Sequence, residues 1–382
     1  MSEKGNRSVL ITGPFGAVGM SVMKNFIKRN SGKPESERVQ ITCIARPSKR
    51  SKTNWAKLTK LANKEAVEFT TVWGDLSDKE AVENAVKGQQ AVIHLAAIIP
   101  PMVHDDPKSA RKVNVDATRS LVEICSKQEK PPRIVYGSSY AIWGPRNPHK
   151  EASRLDSRVP VDPQDAYGSQ KYKAEKIVEQ YCGEWTILRI GAVAITAEDI
   201  LNYPNRTETL RILTYAIPAN QRRHGLHHED AGHAFAECAV TTKPVSGKLL
   251  PLGGDETWCV RASDFSGCIL DAMGIGALPT DCYRKPQPEL DEAFFFEDWM
   301  DTSETQALLN FQQRTFEDYK KELRRGMSSP RRVMLLLRPV VRRSLIKDSP
   351  YYIANRKGMP HPHNTKSVGE LLKSFPEPED SA

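Results

Sequence analysis

Tyr167 and Lys171 stand four residues apart in Tyr167-Gly168-Ser169-Gln170-Lys171. On a helix that spacing puts both side chains on one face. A phenol titrating near ~10 is a poor acid or base at neutral pH. A neighbouring ammonium stabilises the phenolate and lowers that value. Such a tyrosine can exchange a proton with a carbonyl or hydroxyl while hydride moves, and the lysine can reach a nicotinamide ribose. Ser138 and Ser139, in the run Tyr136 to Gly144, offer a hydroxyl for the reacting oxygen. Taken alone, the pair also fits a solvated amphipathic helix, and the serines fit a turn.

A second constellation lies near the N-terminus. Val9 to Ile11 is a short apolar run, and Gly13, Gly16 and Gly19 follow it at Gly-x-x-Gly-x-x-Gly spacing. Met20, Met23, Phe26 and Ile27 then recur at helical spacing. Strand, glycine turn and helix together form a cradle for a dinucleotide pyrophosphate. One glycine makes the turn, one lets backbone approach phosphate, and one lets the helix pack on the sheet.

The elements that must position these residues alternate. Strands are expected at 39–45, 68–73, 91–95, 133–138 and 185–190, with helices at 78–87, 109–127 and 166–181. Repeated β-α units imply a parallel sheet covered on both faces. The fold class is therefore α/β, a Rossmann doubly wound parallel sheet, with a smaller C-terminal α/β substrate lobe. Residues 1–195 form the dinucleotide-binding domain and 196–326 the lobe, with parts of the chain crossing between them. In the lobe, 249–254 reads as strand and turn, 262–273 as a helix capped by Ser263, and 302–325 as two helices.

With Gly74-Asp75-Leu76, His94-Leu95-Ala96-Ala97 and Asn114 in order, the chain resembles the extended short-chain dehydrogenase/reductases of the NAD-dependent epimerase/dehydratase group, over roughly residues 8–320. The resemblance implies a catalytic set of Ser139, Tyr167 and Lys171. Ser139 is selected over Ser138 because the family serine lies five residues before its closing glycine. It implies cofactor contacts from Gly13, Phe15, Gly16, Gly19, Arg46, Asp75, Leu76, Ala96, Ala97, Asn114, Tyr167 and Lys171, and a structural role for Asp230. The second strand ends in Ala45-Arg46-Pro47-Ser48-Lys49-Arg50 without an acid. An acid there would bond a ribose 2′-hydroxyl, whereas Arg46, assisted by Ser48, Lys49 or Arg50, suits a 2′-phosphate. NADP(H) is thus expected ahead of NAD(H).

The expected activity is hydride transfer between nicotinamide and an alcohol or carbonyl substrate, with Tyr167 as acid/base. The alternative is a sugar-nucleotide epimerase or dehydratase with retained NAD. Against it, Leu188 to Ile195 lacks the Asn and Gly-Pro usual in such enzymes; for it, Arg206, Arg211, Arg222 and Arg223 could hold a diphosphate or carboxylate. A catalytically silent nucleotide sensor is a third reading, opposed by the intact Ser/Tyr/Lys set. The resemblance also implies a homodimer through helices such as 109–127 and 166–181.

Composition narrows the rest. Seven cysteines without a C-x-x-C pair read as reduced thiols of a cytoplasmic protein. His227, His228 and His233 lack a cysteine or second acidic cluster to complete a metal set, so no metal is expected. The net charge of +8 is concentrated late: from Met327 onward ten Lys or Arg face five Asp or Glu. No nucleic-acid-reading motif accompanies that charge. Residues 331–347 carry six cations and no acid, interleaved with apolar clusters and Pro339. This basic extension, 327–382, fits either peripheral contact with an anionic membrane or a helix packing Leu335, Leu336, Val340 and Val341 on the lobe. Pro350 to Tyr352 reads as loop, and residues 375–382 as disordered.

Overall fold

The structure, a computed structural model, describes residues 7–150, 154–201, 208–361, 363 and 366–373. Six strands follow the expected alternation: β1 (Ser8–Thr12), β2 (Gln40–Ala45), β3 (Thr70–Trp73), β4 (Ala91–His94), β5 (Arg133–Ser139) and β6 (Trp185–Ile190). Beyond them come β7 (Ala192–Ala194), β8 (Arg222–His227), β9 (Lys248–Leu252) and β10 (Cys259–Arg261). The main sheet is parallel, in the order β3-β2-β1-β4-β5-β6-β9. The strand order reverses between β1 and β4, which opens a crevice at their carboxyl ends. A small sheet, β10-β8-β7, carries the second lobe.

The helices over the main sheet are α1 (Ala17–Asn30), α2 (Lys49–Lys64), α3 (Lys79–Val86), α4 (Met102–Asp105), α5 (Pro107–Arg111), α6 (Ala117–Ser126) and α7 (Ala166–Glu179). Then follow α8 (Ala197–Leu201), α9 (Glu208–Tyr215), α10 (His228–Val240), α11 (Ala262–Ala272), α12 (Ser303–Leu309) and α13 (Phe316–Gly326). The C-terminal extension forms α14 (Ser328–Asp348), α15 (Tyr352–Lys357) and α16 (Val368–Leu372).

The period of two along each strand divides the core. Val9 and Ile11 face a layer built with Val22, Phe26, Phe235 and Leu250, and Leu10 faces a layer with Val92, Ile134, Leu121 and Val178. Helix α10 lies directly on α1. A Cβ on Gly232 would sit 2.5 Å from the Cβ and carbonyl carbon of Ser21, so only glycine permits that approach.

Several elements differ from expectation. Helix α2 was not read from the sequence: of its sixteen residues only Leu58 and Ala62 are buried, too narrow an apolar stripe to register. The helix expected over 109–127 is broken by a π-helical turn, Lys112–Asp116, which carries Asn114. Two elements from within 196–326, α10 and β9, complete the main layer. Arg261, not Ser263, occupies the N-cap of α11, and Asp264 closes its capping box. Tyr352, expected in loop with Pro350 and Tyr351, opens α15. Arg206 and residues 375–382 lie outside the described residues.

Candidate active site

β1 delivers its chain to the crevice at Thr12, and the glycine loop turns it into α1. Gly13 has φ +65°, and a Cβ there would lie 2.8 Å from Ala96 N; a Cβ on Gly19 would lie 2.1 Å from Gly13 O. Both positions exclude a side chain on backbone grounds. Gly16 differs: a Cβ would find only Gly13 O, at 3.6 Å. Gly16 is the N-cap of α1 and supplies no capping side chain, so the helix's first N–H groups are left for a ligand. An open approach at Gly16 beside an uncapped helix start fits a dinucleotide pyrophosphate. Phe15 packs its ring against Trp73, 5.9 Å between centroids, and its carbonyl accepts from Asn54.

The facing wall is Leu95 to Ala97. Thr12 Oγ1 accepts the N–H groups of Leu95 (3.2 Å) and Ala96 (3.1 Å), so its own hydrogen goes to His94 Nδ1 (2.7 Å). The His94 proton therefore sits on Nε2, donated to Thr118 Oγ1 (2.9 Å), and Thr118 donates to the Asn114 carbonyl (2.9 Å). Burial first, then the Lys171 cation, holds His94 down to about 3, keeping it neutral.

Asn114, expected as a cofactor contact, is committed elsewhere. Its Oδ1 accepts Ile98 N (2.7 Å), and its Nδ2 donates to Ile98 O (2.9 Å) and Gln170 Oε1 (2.9 Å). Both amide hydrogens are used, so Asn114 ties the β4 loop to α7. Beyond the ends of β2 and β3, Arg46 Nε lies 3.4 Å from Asp75 Oδ2, both side chains well exposed. Asp75 also accepts the Ser77 N–H and hydroxyl (2.9 and 2.8 Å). Leu76 packs on the core beneath. Arg50 is turned to Asp199 (3.2 Å) and Lys57 to Glu198, linking α2 to α8.

α7 begins at Asp165, whose buried side chain accepts Gly168 N (2.8 Å). The Ser139 hydroxyl, which accepts Ala141 N (3.2 Å), is near enough to the Tyr167 phenol to favour its ionised form. The neighbouring Ser138 hydroxyl is buried and has no partner among the described residues. Lys171 is placed differently from expectation. Its Nζ donates to Gly137 O (2.7 Å) and lies 3.4 Å from the Tyr136 hydroxyl. Burial drives the Tyr167 phenol above its ordinary value, with Ser139 opposing and Asp165 adding to the rise; Lys171 is not among the groups that lower it. In this structure the Lys171 cation is bonded to the strand carbonyl. Burial lowers Lys171 to about 8, opposed by Glu175.

Glu175, one turn after Lys171, takes Arg189 in a bidentate pair (3.1 and 2.9 Å), and both are buried. The i+4 spacing from Lys171 was the signal for it. Tyr140, beside Ser139, donates to Glu297 Oε2 (2.6 Å), and Arg223 holds both Glu297 oxygens at 2.8 Å. No sequence proximity announces Glu297.

Beyond this pair lies a cavity of about 410 Å³, lined mainly by Ile195, Ile200, Leu213, Ile217, Phe265 and Ile269. Leu213 also packs in one cluster with Tyr167, and α16 contributes Val368 and Leu372 to that cluster. Arg222 bonds Asp298 (2.8 Å), so both described β8 arginines are held in acidic pairs. Asp230 is buried and accepts Gln313 N, Arg314 N and Arg314 Nη1, which fixes the chain before α13.

Glu322 supplies the acid that the histidine run lacked in sequence. His227 Nε2 lies 3.0 Å and His228 Nε2 3.5 Å from it. His227 Nδ1 accepts the Glu229 N–H (3.2 Å), which puts the His227 proton on Nε2, facing Glu322. A metal at that nitrogen would have to displace it.

A family model described as the 3-beta hydroxysteroid dehydrogenase/isomerase family matches residues 10–196. D-erythronate dehydrogenase of Cupriavidus necator is 27% identical over 180 residues, 46% of this chain and 50% of that protein. D-erythronate dehydrogenase of Haemophilus influenzae is 30% identical over 145 residues, 37% of this chain and 42% of that protein. The matched stretch spans half or less of these relatives' length. The Bacillus cereus UDP-glucuronic acid 4-epimerase, solved with UDP-glucuronic acid and NAD, superposes with a TM-score of 0.60 at 16% identity, covering 85% of this chain and 99% of that one. That likeness is one of fold.

Proposed function

The chain belongs to the extended short-chain dehydrogenase/reductases, and on that premise we propose that it moves hydride between a nicotinamide nucleotide and an apolar alcohol or ketone. The reading is carried by Tyr167, which Ser139 faces and which packs in one apolar cluster with Leu213 of the 410 Å³ cavity's wall. Cavities of this size and lining suit a lipophilic small molecule. A nicotinamide nucleotide held by the glycine loop would supply the hydride chemistry, in either direction.

The residues handle the proton and the geometry. Burial keeps Tyr167 a neutral phenol, the form that can donate to a carbonyl oxygen. As the carbonyl becomes a CH–OH group, the Tyr167 proton passes to the oxygen, and the phenolate is reprotonated from solvent. Ser139 orients that oxygen alongside the phenol. Lys171, anchored on the Gly137 carbonyl two residues before Ser139, fixes the end of β5. The π turn at Asn114 holds the Ile98 loop against α7.

Arg222 and Arg223 support an apolar substrate over a sugar diphosphate. An anionic ligand would have to displace Asp298 or Glu297 from Arg222 or Arg223. For the cofactor, the acid-free end of β2 supports NADPH. A 2′-phosphate would draw Arg46 from Asp75, breaking an exposed ion pair worth about 0–1 kcal/mol. A homodimer through α6 and α7 and a cytoplasmic site of action complete the reading.

Titration with NADPH and NADH by cofactor fluorescence, beside Arg46→Asp, tests it together with a screen of ketones and hydroxysteroids. The expected result is tighter NADPH binding, reversed by the substitution, with turnover of an apolar ketone or alcohol. Protein that purifies with NAD+ retained and interconverts UDP-sugars would replace this reading with the epimerase one.

A further inference from the structure

Helix α14 has two faces of opposite character. One is docked on the lobe. Arg331 donates to the last carbonyls of α11, Asp271 O and Ala272 O (the latter at 3.2 Å), and Arg342 to Gly276 O (3.1 Å) and Ala277 O. The Tyr215 hydroxyl donates to Leu345 O (2.8 Å), and Leu345 and Ile346 pack against the Tyr215 cluster.

The other face has no partner among the described residues. Val333, Leu336, Leu337 and Val340 recur at i, i+3, i+4 and i+7, a single helical row, and they are 60%, 83%, 49% and 71% exposed. No residue of this 21-residue helix is buried. Scattered exposed leucines are ordinary, but a contiguous row is a contact surface. At 100° per residue, Arg332, Arg343 and Lys347 fall beside Leu336 on this same side. Residues 331–347 contain no acid.

We propose that this face of α14 lies in the interface of an anionic lipid membrane. The apolar row enters the acyl boundary while the arginines and Lys347 meet headgroup phosphates. Six cations in the segment exclude a spanning role, and no helix among the described residues is long and apolar enough to cross a membrane. A second copy of the chain is a poorer occupant. Facing two such rows would bring Arg332 and Arg343 of both copies together with no carboxylate between them, a repulsion undiminished at a drying surface. An acidic bilayer supplies the apolar medium and the opposite charge at once. Because Arg331 caps α11, whose Phe265 and Ile269 line the cavity, docking would hold that cavity one helix away from lipid. The lipid contact itself does not depend on the hydride-transfer reading.

The test is co-sedimentation of the full chain with vesicles of phosphatidylcholine, with and without phosphatidylserine. Binding is expected only with phosphatidylserine and should fall as salt is raised. The pair Leu336→Glu and Val340→Glu should lower vesicle affinity by about tenfold or more, with unchanged urea unfolding and nucleotide binding, since both side chains project into solvent. Arg332→Glu with Arg343→Glu should remove the phosphatidylserine preference. The wild-type salt and lipid dependence reads the proposal even if a variant misfolds. Wild-type protein that stays in the supernatant, Glu variants that bind as wild type, or a wild-type dimer dissociated by Leu336→Glu in light scattering would each overturn it.

Discussion

Two alanine substitutions three residues apart should fail in different ways. A Cβ on Gly19 would meet the Gly13 carbonyl at 2.1 Å and Pro14 backbone at 2.9 Å, so α1 must shift from the loop. Forcing a methyl into packed backbone costs about 1–3 kcal/mol, and Gly19→Ala should lose that much apoprotein stability. On Gly16 the nearest atom is 3.6 Å away, and its φ of −77° suits alanine. Reduced unfolded-state entropy and a poorer N-cap nearly offset each other there, each within about 1 kcal/mol. Gly16→Ala should therefore unfold like wild type without nucleotide. With it, on the proposed cofactor reading, the methyl would stand where the pyrophosphate approaches. Urea unfolding with and without NADPH separates the two effects. Wild type at about a hundred times its Kd gains about 2.7 kcal/mol; Gly16→Ala should gain almost none. Equal destabilisation by both substitutions, or full nucleotide stabilisation of Gly16→Ala, would refute the assignment of the glycines.

Other perturbations test the layers around the site. Glu175→Gln leaves Arg189 buried without its carboxylate and should destabilise by about 3–5 kcal/mol in urea unfolding; Glu175→Leu with Arg189→Met should recover most of the loss. Burial holds His94 down to about 3 and both His104 and His224 to about 4. The unfolded chain takes up these protons near pH 6.5 while the native state does not, so stability present above that pH is lost progressively toward pH 4. Asp165, raised to about 7 by burial, opposes this with one proton. His224→Gln should make the fall between pH 6.5 and 4 shallower in urea unfolding at stepped pH, and an unchanged slope would contradict the neutral assignment.

The parallel sheet was legible because each strand is an apolar run followed by turn residues, and the glycine loop because Gly16 and Gly19 answer to the backbone of Gly13 and Pro14, close in sequence. Helix α2 was not, since nearly all its positions are solvated and its N-cap, Ser48, sits in a basic run that reads equally as loop. β9 was visible as a strand, but nothing local says it joins β6 rather than the small sheet. The reactive residues were legible as types in order. Their bonds were not: Lys171 turning to Gly137, Asn114 to Ile98 and Tyr140 to Glu297 join segments separated by up to 157 residues. Arg223 shows the same limit, since its carboxylate partner lies 74 residues away.

The central claim is that Tyr167 moves the proton while hydride is transferred. Steady-state oxidation of NADPH with the best ketone from the screen, for wild type and Tyr167→Phe, tests it most directly. The phenylalanine variant should lose about 10²–10⁴ in kcat with urea stability unchanged. A variant that keeps wild-type turnover while binding NADPH normally would contradict the account.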